Sequence, residues 1–164
     1  MSTTETLSET LPLTVLFDCD ETAWLERMSR LVAQGRYAEM DHANLSEYLS
    51  DMAKRDRREV AGRLATFLMH LLKWEYQPDH RSGSWRGSIL EQRSELLDLL
   101  ESGTLYKHAS SVLARAYAVA RRRAAAETGL PLGTFPIECR WDLESLLTDD
   151  GDTEPVSVPD QGGA

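Results

Sequence analysis

Apolar residues recur along most of the chain three or four positions apart, the spacing that places them on one face of an α-helix. Glycine and proline mark where several of these runs end, as at Gly35, Pro78 and Gly129. Strand-forming residues are sparse, whereas Ala, Leu, Arg and Glu, which favour helix, are abundant. The pattern predicts an all-α fold: a single-domain bundle of about five helices, followed by a short C-terminal helical turn.

Capping residues and stop signals give the expected helix bounds. The first helix is expected to begin near Asp18 or Asp20 and to stop at Gly35, and Asp41 can cap the second. The later elements are a fourth helix capped by Ser82 or Ser84 and stopped by Gly103, a fifth over about 105–128, and a short stretch over 142–147 that docks through Trp141, Leu143 and Leu146.

The charged run KRDRRE, residues 54–59, interrupts the apolar pattern in the middle of the chain. Asp56 followed by Glu59 has the form of a capping box, so a third helix is expected from about Arg57 to Tyr76. Pro78 ends it, because the residue before a proline is pushed out of the helical region. An unbroken helix through the run is the alternative, since nothing in these residues forbids helix.

The same pattern gives the domain organisation. Residues 1–13, rich in Ser, Thr and Glu, are expected to be a flexible N-terminal lead, and residues 14–147 a single helical domain. Residues 148–164, which are acidic and rich in Gly and Pro, are expected to be a flexible tail.

Charge and cysteine content narrow the class of protein. The formal net charge is −9, yet residues 54–93 hold nine basic and five acidic groups, a basic island between acidic ends. The whole chain is therefore a poor polyanion binder, although a local anion site remains open. The start lacks the basic region of a secretory signal, and no apolar run is long enough to span a bilayer. Cys19 and Cys139 show no metal-ligand spacing, and two free thiols are typical of a cytoplasmic protein. We therefore expect a cytoplasmic protein with no cofactor, no metal and no membrane association.

A stripe of large polar and aromatic side chains follows one face of the predicted third helix beside its leucines. If the fourth helix folds back on the third, the stripe meets the residues that follow the turn at 76–84. The candidate binding or interface residues are Lys73, Trp74, Gln77, Arg81, Trp85, Arg86 and Arg93, and the candidate catalytic residues are Arg63 and His70.

Two interpretations of this stripe stand. In the structural one, which is favoured, the polar groups bond neighbouring backbone and the tryptophans close the core. In the other, arginine binds phosphate, histidine transfers protons and tryptophan stacks on a base. The segment RLATFLMH, with Arg63 and His70, resembles the HEPN (higher eukaryote and prokaryote nucleotide-binding) helical ribonucleases. That resemblance implies metal-independent RNA cleavage at a dimer interface, although Leu64 stands where a polar residue commonly follows the Arg.

A longer resemblance covers residues 17–147. The runs FDCDETAWLERMSRLVAQGRYAEMDHANLSEYLSDM, LMHLLKWEYQPDHRSGSW, ILEQRSELLDLL and YAVARRRAAAETGLPLGTFPIECRWDLESLL are similar to the bacterial family called domain of unknown function 29. The resemblance implies an all-helical fold and carries no catalytic residue with it. Members often have Gly between the second and third helices, where this chain has Ala53, which weakens the expected break near residue 54.

The favoured hypothesis for function is a cytoplasmic helical interaction domain that binds a protein partner or a second copy of itself. Trp74, Tyr76 and Trp85, with arginines beside them near one turn, have the composition of interface hot spots. A ribonuclease or nucleic-acid-binding protein using Arg63 and His70 is the alternative, and a toxin or antitoxin partner is a third. An enzyme is the less favoured class.

Overall fold

The structure is a computed structural model and describes residues 10–148. The described part is all-α and contains no strand, which confirms the predicted fold class. Its helices are α1 (Leu13–Cys19), α2 (Glu21–Ala33), α3 (His42–Tyr76), α4 (Gly83–Leu100), α5 (Gly103–Thr128) and α6 (Leu143–Leu147), with 3₁₀ turns at Tyr37–Glu39, Pro78–His80 and Leu132–Thr134. The predicted acidic tail from 149 onward, and residues 1–9 of the predicted lead, lie outside the described residues.

Four helices begin where a side chain of the predicted type accepts a hydrogen bond from the first turn. Asp20 accepts from the Ala23 amide at 3.0 Å, and Asp142 accepts from the Ser145 amide at 2.7 Å. The remaining two caps are Asp41, which bonds the Asn44 amide at 3.3 Å, and Ser82, which bonds the Trp85 amide at 3.3 Å. The predicted caps at Asp20, Asp41 and Ser82 are therefore confirmed, with Asp20 chosen over Asp18 and Ser82 over Ser84, whereas Asp142, expected within the last helix, caps it instead.

Two predicted boundaries need correction. Helix α1 was not expected, and it places Asp18 inside a helix rather than at a cap. Its segment has no side-chain cap, but Leu16 is 1% exposed, so burial within its unit stabilises this short helix. Gly103 begins α5 instead of stopping the helix before it, because the Ser102 hydroxyl caps α5 through the Leu105 amide at 3.5 Å.

The predicted break near Asp56 is wrong, since α3 runs without interruption through 35 residues. The segment from Ala43 to Ala61 contains neither Gly nor Pro, and Ala53 is a strong helix former at the expected break. Asp51 and Lys54, three positions apart on α3, form an ion pair at 2.9 Å. A capping box is not required there, because amides within a helix already bond carbonyls one turn earlier.

The contacts divide the described residues into two compact units, 10–54 and 55–148, with α3 crossing the boundary. The first unit has a core centred on Trp24, whose side chain is fully buried. Its ring packs against Phe17, with centroids 4.8 Å apart, and against Tyr48 at 5.6 Å. The other buried residues of this unit are Leu16, Met28 and Leu31.

The second unit packs the apolar face of α3 against α4, α5 and α6. Large side chains of α3 fill its centre, and α5 contributes alanines that allow close helix approach, among them Ala109, Ala116 and Ala120. The C-terminal residues Trp141, Leu143 and Leu146 are buried in the same core, as predicted. No helix among residues 10–148 has the length and apolarity needed to cross a membrane.

Candidate functional site

Helices α3 and α4 run antiparallel, because the residue numbers of their contacts rise on one helix as they fall on the other. Arg63 of α3 pairs with Glu95, at 3.1 Å, while Lys73, ten residues further along α3, lies 4.5 Å from the ring of Trp85. The fold-back assumed from the sequence is therefore present. It brings the end of α3 and the start of α4 together at the 76–84 turn.

Lys73 lies at the centre of this convergence and is 7% exposed. Its ammonium donates to Glu127 Oε2 at 2.6 Å and sits over the Trp85 ring. The carboxylate and the ring face together offset much of the cost of burying the charge. Sequence reasoning missed Glu127, which lies 54 positions away on α5.

Other predicted candidate residues form hydrogen bonds at the C-terminal end of α3. Arg81 Nε donates to the Trp74 carbonyl at 2.9 Å, and its guanidinium carbon lies 5.0 Å from the centre of the Trp74 ring. Gln77 Nε2 donates to the Thr128 carbonyl at 3.4 Å, which ties α3 to the end of α5. These contacts satisfy helix-end carbonyls, as the structural interpretation of the stripe expected.

Arg63 is bound by two carboxylates. Its guanidinium contacts Glu59 at 2.9 Å and Glu95 at 3.1 Å, and its side chain is about a quarter exposed, at 26%. Both contacts neutralise the positive charge that would otherwise attract a phosphate.

His70, the other candidate catalytic residue, is half-buried. Its Nδ1 atom is buried and has no hydrogen-bond partner among the described residues. Burial, and then the positive charge of Lys73, lower the pKa of His70 below its usual value, against an opposing effect of Glu127. Seven residues of helix separate it from Arg63, a rise of about 10.5 Å. The structure therefore places the two groups in different charge environments.

The two remaining arginines of the predicted set have different surroundings. Arg93 is 5% exposed, and its Nε donates to the Leu146 carbonyl at 3.1 Å. Its guanidinium carbon also lies 5.4 Å from the centre of the Phe67 ring, so Arg93 anchors the last turn of the core. Arg86 is exposed on α4.

A second charged cluster joins the end of α3 to the segment before α6. Arg140 donates to Glu75 Oε1 at 2.5 Å and to the Tyr76 hydroxyl at 3.3 Å. The Tyr76 ring packs edge-on against Phe135, with centroids 5.2 Å apart. The sequence grouped Tyr76 with Trp74 and Trp85 as a candidate interface residue, whereas its partners Arg140 and Phe135 lie about 60 positions later in the chain.

An arginine-lined groove on the other side of α3 was not expected from the sequence. Helices α3 and α5 run parallel, since Arg57 pairs with His108 through its carbonyl and Lys73 pairs with Glu127. Between them lies a groove of about 340 Å³. We call it the arginine groove, and its lining residues are Arg57, Arg58, Ala61, Gly62, Ala65, His108, Val112, Arg115, Ala116, Val119 and Arg123.

The floor of the arginine groove is apolar and its rim is cationic. Small residues form the floor, and a Cβ atom added to Gly62 would have no heavy atom within 4 Å. Arg57, Arg115 and Arg123 stand at the rim, and no carboxylate of residues 10–148 forms an ion pair with any of them. The basic island, residues 54–93, includes the arginines on the α3 side of the groove, but Arg115 and Arg123 on the α5 side lie outside it.

The described residues contain no group of three His, Cys, Asp or Glu side chains placed to hold a metal ion. The pairing seen around Lys73 and Arg63 is internal to the fold. The arginine groove, in contrast, presents cations and apolar surface to the exterior. It is therefore the stronger candidate for a binding site.

The family model described as Domain of unknown function DUF29 matches residues 16–150. The chain belongs to this family. No curated protein and no solved structure matches it. Membership in the DUF29 family agrees with the all-α fold and assigns no activity.

Proposed function

We propose that this DUF29 chain is a helical protein-interaction domain that binds an acidic amphipathic helix in the arginine groove. The observation that carries the proposal is the pairing of a small-residue floor with three rim arginines that have no carboxylate partner among residues 10–148. Guanidinium groups bind carboxylates through paired hydrogen bonds, and a helix can lay its apolar face between two others. A helical ligand would add a third helix beside α3 and α5.

The chemistry of the groove favours a peptide over a nucleic acid. The described residues that line it include no Trp, Tyr or Phe, and the imidazole of His108 is held by the Arg57 carbonyl at 3.3 Å, so the groove offers no large ring on which a base can stack. Its floor of alanines, glycine and valines suits aliphatic side chains. The net charge of −9 also opposes binding of a long polyanion more strongly than binding of a short helix with a few carboxylates.

Fluorescence anisotropy with a labelled model peptide tests this function. The probe is a designed amphipathic helix of about 20 residues, long enough to form on its own, with leucines on one face and glutamates beside them. We expect it to bind the intact protein, and a version with lysine in place of every glutamate not to bind. Arg123→Glu should weaken binding about tenfold, which corresponds to about 1.4 kcal/mol.

The matched control is Arg122→Glu, which changes the same charge on the neighbouring exposed residue outside the groove. Its affinity for the acidic peptide should equal that of the unmodified protein. Equal weakening by both variants would show a general charge effect and contradict the proposal. Binding of a single-stranded RNA in preference to the acidic peptide, lost on Arg123→Glu, would also contradict it.

A further inference from the structure

We propose that the occupant of the arginine groove is the outer face of α4 from a second copy of this chain. This inference rests on the proposed function and adds the identity of the partner. The outer face of α4 comprises the exposed residues Leu90, Glu91, Ser94, Leu97 and Asp98. At 100° per residue these five positions fall within an arc of about 120°, so they form one continuous strip.

The leucines of this strip mark it as a contact surface. Leu90 is 43% exposed and Leu97 is 46% exposed, although the same helix buries Ile89, Leu96 and Leu100 in the core. Single exposed leucines are common on protein surfaces, but two of them seven residues apart on one helix form a stripe. The acidic residues beside them give the strip both properties that the groove requires of a ligand, apolar side chains and carboxylates.

The spacing of charges on the two surfaces agrees. Glu91 and Asp98 are seven residues apart, a rise of about 10.5 Å along α4. Arg115 and Arg123 are eight residues apart, a rise of about 12 Å along α5. Two helices lying side by side can therefore place both carboxylates within reach of both guanidinium groups.

The groove is lined by small residues on both helices. Gly62 is exposed and presents no side chain to an approaching helix. Ala61 and Ala65 lie on the same helix as Gly62, and Ala116 and Val112 line the α5 side. Small side chains on both walls allow an approaching helix to come close and to bury Leu90 and Leu97.

The contact joins two different surfaces of the second unit, the groove of one copy and the α4 face of another. Such a contact closes into a dimer when each copy supplies both surfaces reciprocally, and extends to larger assemblies when it does not. In either case, pairs of arginine and carboxylate side chains at the edge of the contact contribute to the association. It should weaken as salt is added, because the Debye length falls to about 3 Å at 1 M salt.

Charge exchange between two variants tests the inference in sedimentation velocity experiments on the full chain. The groove variant is Arg115→Glu with Arg123→Glu, and the face variant is Glu91→Arg with Asp98→Arg. Each variant alone should lose association by about tenfold or more, because like charges then face each other. An equimolar mixture of the two should recover association, since every contact in a mixed complex pairs opposite charges.

Circular dichroism of each variant shows whether the helical fold is kept, and Arg122→Glu serves as the charge-matched control that should associate like the unmodified chain. Recovery in the mixture cannot come from a misfolded protein, which keeps the result interpretable even if one variant is destabilised. Association of both variants at the unmodified strength would overturn the inference, as would failure of the mixture to associate.

Self-association and binding of the acidic model peptide can be tested independently of each other. An unmodified chain that stays monomeric at high concentration, while it still binds the acidic model peptide through Arg123, overturns the self-association and leaves the proposed function in place. A chain that stays monomeric and also fails to bind the peptide overturns both. Association that depends on the α4 face but not on the groove overturns the inferred docking site.

Discussion

The Lys73–Glu127 contact gives the sharpest test of how the predicted stripe is stabilised. Glu127→Gln removes the carboxylate and leaves the Lys73 ammonium 7% exposed, with the Trp85 ring as its neighbour at 4.5 Å. Removing one partner of a fully buried ion pair costs about 3–5 kcal/mol. The Glu127 side chain is 47% exposed, so water can reach the ammonium from that side and the cost should be about half, or about 2 kcal/mol.

The same reasoning makes the opposite prediction for Lys73→Met. Methionine has a similar length and no charge, and it keeps a contact with the Trp85 ring. Replacing a buried charge by an apolar side chain of similar volume is often close to neutral, so we expect a change within about 1 kcal/mol. Adding Glu127→Gln to the Lys73→Met protein should then cost less than about 0.5 kcal/mol.

Urea unfolding at one fixed protein concentration, followed by circular dichroism and tryptophan fluorescence, gives these free energies. A loss of about 2 kcal/mol corresponds to a fall in Tm of about 4–8 °C for a chain of this size. The exposed carboxylate of Glu138 supplies the control Glu138→Gln, which should change little. The reasoning is refuted if Lys73→Met destabilises the protein as much as Glu127→Gln does, because the buried charge would then not be the source of the cost.

Two further predictions concern single residues. Gly62→Ala should stabilise the protein by about 0.5–1 kcal/mol, because Gly62 lies inside a helix with open space around it. Gly129→Ala should cost about 1–2 kcal/mol, because Gly129 has a φ of 72° that side chains disfavour. Thermal unfolding that ranks the two variants in the reverse order would contradict this. His70 has a lowered pKa when folded, so its contribution to stability is present above its ordinary value of 6.5 and is lost as the pH falls. His70→Gln should flatten the stability profile between about pH 8 and about pH 5, and an unchanged profile would show that other groups set it.

The candidate site illustrates which parts of a helical surface can be found from a sequence. The stripe on α3 was found because 3.6-residue periodicity fixes which residues share a face, whatever the rest of the fold does. Trp74 packs against the core beside the leucines of α3, whereas Gln77 follows the end of the helix and its wheel position does not apply. The fold-back of α4 was assumed from the sequence and is present in the structure. The wheel could not supply Glu127 or Glu95, because they reach α3 from helices whose rotation and offset depend on packing.

The arginine groove was missed for the same physical reason. Arg57 belongs to the basic island, but Arg115 and Arg123 lie in a stretch whose charges balance. Counting charge along the chain therefore hid them. Arg57, Arg115 and Arg123 share one surface because α3 and α5 lie parallel to each other. This arrangement is possible because α4, which lies between α3 and α5 in the sequence, runs in the opposite direction.

The sequence by itself determined the all-α fold and several helix starts, because capping and helix propensity depend on residues within one turn of each other. Asp20, Asp41, Ser82 and Asp142 act as caps for this reason. Local signals also misled at Asp56, since a capping box next to Ala53 is compatible with a continuous helix.

The tertiary structure decided which charges are neutralised and which face outward. Arg63 and Lys73 read from the sequence as binding groups, and packing gave each a carboxylate from another helix. Arg115 and Arg123 attracted no notice in the sequence, and packing placed them on the rim of the groove. An ion pair between distant residues depends on the distance and rotation between two helices, and those are set by the fit of side chains across the whole core.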